Sequence, residues 1–325
     1  MAIGETTLRA ARSYLASVLP TTPCVFSPTL SKLTGCEIWL KLEFAQPTRS
    51  FKVRGALFSI HSLPSAPGRV VAASTGNHGL GVAYAARLNK VPATIFAPSG
   101  ANQAKLAAIR TWGAEVVEVG KYWEDALAAA KAEAVRPDTA LIHSFDDPAI
   151  VAGQSSVAFE IMEQVPDVSA VVAAVGGGGL ISGVGAALHY LAPGCTVWGA
   201  EPAIGPRLTR SLEQGERVEV VGFKSIADGL AARALSELTY EMCRRYVAGS
   251  FTVTEDELLS AVARIFLSER LLVEPSAACT VAALLQHRGS FSGTVVCIIS
   301  GSNIDTVVAR QALSVDPPAV AGQEV

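Results

Sequence analysis

Four consecutive glycines, Gly176 to Gly179, join an apolar strand-like run, Val171–Val175, to a helix-like one beginning at Leu180. Glycine loses more chain entropy on folding than any other residue and adds nothing to a core, so four in a row need a reason. Without Cβ atoms, such a loop can turn its N–H groups onto an anion at the positive end of the following helix, which points to a phosphate. Lys52, in Ser50-Phe51-Lys52-Val53-Arg54-Gly55-Ala56, stands just inside a helix start among apolar neighbours. Burial there disfavours the ammonium ion and lowers its pKa toward the range where a neutral amine attacks a carbonyl. Taken alone, the position equally suits an ordinary surface lysine. Ser74-Thr75-Gly76-Asn77-His78-Gly79 follows a short apolar run. Its N–H groups could hold a carboxylate, and Asn77 offers a donor suited to a phenolate oxygen; a helix-capping turn is the plainer alternative. Ser300-Gly301-Ser302-Asn303 closes another apolar run and presents a hydroxyl at a strand tip, or merely a cap.

These segments need a scaffold that brings them together. Short apolar runs alternate with helical patterns, the mark of βαβ units and a parallel sheet. Strands are expected at Glu37–Leu42, Val70–Ala73, Ala93–Phe96, Glu115–Val119, Ala140–His143, Ala170–Val175, Thr196–Gly199 and Val295–Ile299. Helical patterns cover Gly79–Leu88, Gln103–Trp112, Trp123–Ala134 and Ile150–Gln164, and Leu8, Ala11, Leu15 and Leu19 mark an amphipathic first helix. Turn-rich stretches at Pro64–Gly68 and Asp146–Pro148 enclose a compact βαβαβαβ unit. The expected fold is α/β with two doubly wound open-sheet domains: residues 1–69 and 148–325 form a large cofactor-binding domain, and 70–147 a small substrate-closing domain. Ligands of such sheets bind at the carboxyl ends of the strands, where the glycine loop sits. The tail Pro317–Val325 reads as frayed.

Half of the 325 residues are hydrophobic, 17% are charged, and the net charge is −3, so the chain has a large core and no basic field for nucleic acid. Six scattered cysteines without CxxC spacing suit buried thiols in a reducing compartment. Ser169 to Ala200 contains no charged residue, yet its glycines and Pro193-Gly194 interrupt it too often for a membrane span. The protein is expected to be cytoplasmic and to bind no membrane.

In this order, the segments resemble the fold-type II pyridoxal-phosphate enzymes (tryptophan-synthase-β-like), specifically the threonine/serine dehydratase and serine racemase branch. The resemblance rests on Lys41-Leu-Glu43, Gln46-Pro-Thr48, Ser50 to Ala56, Thr75 to Gly79, Ala152-Gly-Gln154, Gly176 to Gly179, Ile226-Ala-Asp-Gly229, Glu274-Pro275 and Ser300 to Asn303. It implies that Lys52 forms the Schiff base with pyridoxal 5′-phosphate and later removes the substrate's Cα proton. It implies further that Gly176, Gly177, Gly178 and Gly179 hold the phosphate, Asn77 the ring hydroxyl and Ser300 the pyridine nitrogen. Phe51 would pack beside the ring, and Ser74, Thr75, Gly76 and His78 would bind the substrate carboxylate, Thr75 also acting in catalysis. The implied reaction is α,β-elimination of water from a β-hydroxy-α-amino acid, giving a 2-oxo acid and ammonia; threonine, serine, 3-phenylserine and 3-hydroxyaspartate are the candidate substrates. A homodimer is implied as well.

The match has departures. Glu201 stands where the branch has a metal-binding glutamate, but the acidic partner expected six residues later is Arg207, so no metal site is expected. Thr75 replaces the racemase serine, which favours elimination over racemisation or a serine/hydroxyaspartate racemase-dehydratase. Arg49 and Ser155-Ser156 also differ from the usual pattern, and either could reshape the pocket around the β-substituent, Arg49 by serving a second carboxylate; a solvated loop cation is the alternative for Arg49. No regulatory module is expected after the catalytic unit. Three alternatives bear on the same residues. Gly177-x-Gly179-x-x-x-Gly183 with Glu201 about twenty residues on also suits a dinucleotide-binding oxidoreductase. A sulfhydrylase is disfavoured by Ser50-Phe-Lys-Val-Arg54 and by the all-glycine loop. A non-enzymatic scaffold would be expected to lose Lys52.

Overall fold

The computed structural model describes residues 3–317; most of the expected frayed tail lies outside them. Among the described residues, ten strands form two sheets: β1 (Cys24–Phe26), β2 (Glu37–Leu42), β3 (Arg69–Ala73), β4 (Ala93–Ala97), β5 (Glu115–Glu118), β6 (Thr139–Leu141), β7 (Val168–Ala174), β8 (Thr196–Pro202), β9 (Gly249–Val253) and β10 (Thr294–Ile299). The larger sheet has the order β1-β2-β10-β7-β8-β9, and the smaller, β5-β4-β3-β6, draws every strand from Arg69–Leu141. All pairs are parallel except β1–β2.

Parallel strands are covered by helices on both faces, so they read as unbroken apolar runs. On β7 and β10, Val171, Ala173, Val296 and Ile298 enter one core, while Ala170, Val172, Val295 and Cys297 enter the other. The charge-free stretch is therefore an internal strand–loop–helix unit: β7, the glycine loop, the helix Gly179–Leu191 and the start of β8. No helix among the described residues is long and apolar enough to cross a membrane. The expected strands all form, with ends shifted by at most three residues and none at all for β2. Sequence periodicity missed β1 and β9, for a physical reason. Both are edge strands, partly exposed and short, and Gly249-Ser-Phe-Thr-Val253 carries no apolar run.

The helix Lys52–His61 crosses the helix Pro148–Gln164 at glycines. A Cβ on Gly153 would lie 2.6 Å from Gly55 Cα, so only two glycines permit this approach. The segment Ala152-Gly-Gln154 thus seats the helix that begins with Lys52.

Candidate active site

The site assembles at the carboxyl ends of the strands. In the larger sheet, β2, β10 and β7 are neighbours. The segments that follow them carry Lys52, Ser300 and the four glycines respectively. In the smaller sheet, the adjacent β3 and β6 lead into Ser74–His78 and into Ser144–Phe145. The two sets face one cleft of about 1160 Å³, whose wall includes every residue expected at the site: Phe51, Lys52, Ser74–His78, Gly176–Gly179 and Ser300.

Lys52 and Ser300 are stitched together by the backbone. Phe51 N donates to Ser300 O (3.1 Å), Ser302 N to Arg49 O (3.0 Å), and Ser50 bridges Gly301. Lys52 Nζ donates to Ser144 O at 2.9 Å and lies 5.3 Å from the Phe51 ring centre. Burial without a counter-ion lowers its pKa to about 8, so at pH 7 about a tenth is already the free amine, far more than for an exposed lysine.

In the glycine loop, Gly178 adopts φ +86° immediately before the helix Gly179–Leu191, a conformation costly for any residue with a side chain. A Cβ on Gly177 would overlap the Phe145 ring. Thr239 Oγ1 donates to Gly177 O (2.8 Å), so the carbonyl side is anchored. Among the described residues, nothing accepts from the N–H groups of Gly176, Gly177 or Gly178. A narrow anchored loop with open N–H groups at a helix N-terminus fits a phosphate.

The helix Asn77–Leu88 starts inside the Ser74–His78 segment and aims a second set of unpaired N–H groups at the same cleft. Gly76 N donates to Ser74 Oγ (3.1 Å). His78 is buried and holds Ile142 O through Nε2 (2.9 Å); burial, then the Lys52 charge, drives its pKa down to about 3, so it is neutral. Asn77 is fixed from both ends. Its Oδ1 accepts from Asn303 Nδ2 and its Nδ2 donates to Glu274 Oε1, both at 2.7 Å, which leaves one amide hydrogen for a ligand.

Glu274 was quoted in the sequence motif without a role. It is 5% exposed on the cleft wall, and burial, reinforced by Asp228, raises its pKa to about 7. In the apoprotein this raised value makes Glu274 stabilising below about pH 4.5, and that stability fades as pH rises through about 7. Glu274→Gln should remove this slope, worth about 3 kcal/mol at most, from urea-unfolding free energies measured between pH 5 and 8.

Sequence reasoning also passed over the charge network beneath Lys52. Arg54, fully buried, grips both carboxylates of Glu43 (2.7 and 2.8 Å) and Glu160 (2.7 and 2.8 Å), and Lys41 Nζ joins Glu160 (2.7 Å) and Thr22 O (2.6 Å). Four charged residues in apolar segments were the available signal. Arg49 is exposed and off the cleft wall, as a solvated loop cation would be, while Ser155 and Ser156 do not shape the pocket: they are buried in their helix, Ser156 accepting from Arg54 Nη1 (3.1 Å). Glu201 is fully buried and off the cleft wall. It accepts from Leu208 N (3.1 Å) and from Thr209 N and Oγ1 (2.7 and 2.8 Å), which removes it as a ribose ligand.

Residues 17–301 match the pyridoxal-phosphate-dependent enzyme family. The chain belongs to that family. It is 38% identical to an L-threonine ammonia-lyase of Thermotoga maritima over 92% of this chain and 75% of that one. It is 36% identical to an L-threo-3-hydroxyaspartate ammonia-lyase of Pseudomonas sp, over 87% of this chain and 90% of that one. The structure of maize serine racemase superposes with a TM-score of 0.91 at 29% identity, over 96% of this chain and 97% of that one. The fold is that of fold-type II enzymes, and the cofactor is pyridoxal phosphate. For a pyridoxal-phosphate enzyme, a buried low-pKa lysine facing an anion-binding glycine loop is the chemistry the cofactor needs.

Proposed function

We propose that the protein dehydrates a β-hydroxy-α-amino acid to a 2-oxo acid and ammonia, threonine, serine and 3-phenylserine defining the substrate type. The observation that carries this is the placement of the Lys52 amine between two helix N-termini in one cleft: one suits a phosphate, the other a carboxylate. Gly176–Gly179 hold the cofactor phosphate, Phe51 flanks the ring, Asn77 donates to the ring hydroxyl and Ser300 meets the pyridine nitrogen. Ser74, Thr75, Gly76 and His78 form the pocket for the α-carboxylate, which fixes Cα beside Lys52.

Bound pyridoxal phosphate anchors to Lys52 and supplies the conjugated ring that takes up the charge left on Cα. The Lys52 amine, when uncharged, would be the base beside Cα and would take its proton. Ser300 would set a hydroxyl rather than a carboxylic acid at the pyridine nitrogen and would not supply a proton there, which suits elimination of the β-hydroxyl. Thr75 lies on the cleft wall within the segment proposed for the carboxylate.

The test is keto-acid release from L-serine, L-threonine, L-threo-3-phenylserine and 3-hydroxyaspartate, with product chirality followed in parallel. A 2-oxo acid with stoichiometric ammonia is expected. Racemised or β-substituted product without keto acid would overturn the proposal.

We infer as well that Glu201 caps the helix Arg207–Gln214 rather than holding a metal, since both its oxygens are engaged and Arg207 Nε lies 3.7 Å away. Chelation or added Mg²⁺ or Ca²⁺ is expected to change turnover less than twofold. Residues 70–147 are proposed to close on 1–69 and 148–325. The polar pairs Lys105–Asp228, Glu124–Arg233 (2.7 Å) and Asn102–Asp305 (2.7 Å) link the two parts. A homodimer is supported by family resemblance and by the exposed apolar pair Val25 and Phe26 on edge strand β1; light scattering should give twice the chain mass. A cytoplasmic site suits the six unpaired cysteines.

A further inference from the structure

Behind the cleft wall lies a cation that the chemistry of Lys52 does not use. Arg207, the first residue of the helix Arg207–Gln214, is fully buried. Its Nη1 donates to two backbone carbonyls, Leu230 O and Ala232 O, the latter at 2.6 Å. Its Nε faces Glu201 Oε2 across 3.7 Å, and the Phe223 ring centre lies 5.2 Å from the guanidinium carbon. Among the described residues, no acceptor lies within hydrogen-bond distance of Nε or Nη2. Burying a guanidinium with two of its nitrogens unpaired is costly, so stability does not account for the residue.

The two carbonyls belong to a strap, residues 228–233, every member of which lines the cleft. The strap begins with the short turn Asp228–Leu230, where Gly229 N donates to Ser276 Oγ (3.1 Å). Its backbone presses on the glycine loop: a Cβ on Gly176 would lie 3.2 Å from Gly229 O, 3.3 Å from Leu230 Cα and 3.7 Å from Leu230 C. Leu230 therefore touches Gly176 with the same backbone that Arg207 holds from behind. Thr239 anchors the loop separately, through Gly177 O (2.8 Å). The strap also bears Asp228 and Arg233, the partners of Lys105 and Glu124 across the cleft. Backbone N–H groups grip a phosphate only if the loop is held to within about 0.5 Å by its surroundings.

We propose that Arg207 is a positioning residue for the cofactor: its fixed charge holds the strap against Gly176 and so keeps the glycine loop in the shape that grips phosphate. This rests on the reading of Gly176–Gly179 as the phosphate site.

The experiment titrates the apoprotein with pyridoxal 5′-phosphate and with pyridoxal, followed by the cofactor absorption band, in the parent, Arg207→Met and Arg207→Lys proteins. Both ligands carry the aldehyde and the ring, so the ratio of their dissociation constants isolates the phosphate end. The parent should bind the phosphorylated form at least a hundredfold more tightly. Arg207→Met should lower that ratio at least tenfold. Arg207→Lys should keep it within threefold, because one nitrogen serves both carbonyls and a compact ammonium can take its place. A general loosening of the fold would weaken both ligands alike and shift the urea midpoint, leaving the ratio where it was. If Arg207→Met does not unfold cooperatively in urea, Arg207→Gln takes its place; it keeps a donor without the charge, and at least a fivefold fall is expected. A ratio unmoved in the uncharged variant, or lost as fully in Arg207→Lys, overturns the positioning role while the phosphate site stands. A parent that binds both ligands equally removes the phosphate site itself, and the proposal with it.

Discussion

A Lys52→Ala protein is expected to remain colourless when supplied with pyridoxal phosphate and to release keto acid at least ~10³-fold more slowly than the parent, the loss typical of removing a base that also anchors the cofactor. Absorbance of the desalted protein and a keto-acid assay read the two effects separately. The same amine predicts how loading depends on pH. Burial places its pKa at about 8, so the rate of cofactor uptake should climb between about pH 7 and 9 and level off above, rather than climbing on toward the range of an exposed lysine. Turnover that survives the substitution would end the account of the site.

The second large effect concerns stability. Arg54→Leu should cost about 3–5 kcal/mol, read as a lower urea midpoint, because Glu43 and Glu160 would be left buried without their shared cation. Arg54→Lys should recover little of this, since a lysine cannot span both carboxylates as the guanidinium fork does. Acid should act on the same network. Glu160 competes with its own burial, but hydrogen bonds and charge from Arg54, then Lys41, bring its pKa down to about 2. A depressed acid stabilises the fold above its unfolded pKa near 4.5, and that contribution disappears as pH falls toward 2. The parent should therefore lose stability across that interval more steeply than Arg54→Leu. Cofactor affinity should fall along with stability, because the helix that begins with Lys52 also carries Arg54.

Much of the fold could be read along the chain. Buried parallel strands leave continuous apolar runs, so β2, β3, β4, β7 and β10 were legible with nearly correct ends. The short polar edges β1 and β9 were not, because pairing rather than composition makes them strands. The same contrast runs through the site. Gly176–Gly179 stood out as a run its position would not otherwise favour, whereas Lys52, Asn77 and Ser300 each had an ordinary local reading, and only their joint order along the chain pointed to the one cleft they line.

What the chain's order could not convey was how one loop meets another. Phe145 lies among polar residues in a turn, and only the proximity of β6 to the glycine loop puts its ring against Gly177. Glu274, nearly two hundred residues after Asn77, reaches it only because both flank the same strand ends. Arg49 and Ser155–Ser156 looked able to shape the pocket, yet the turn at Arg49 faces solvent and the serines face a helix crossing. Local sequence determines what a segment can do chemically, through backbone freedom, side-chain type and periodicity. Which groups share a cleft, and which charges are already neutralised within it, follows from long-range packing, and the tertiary structure alone decided that.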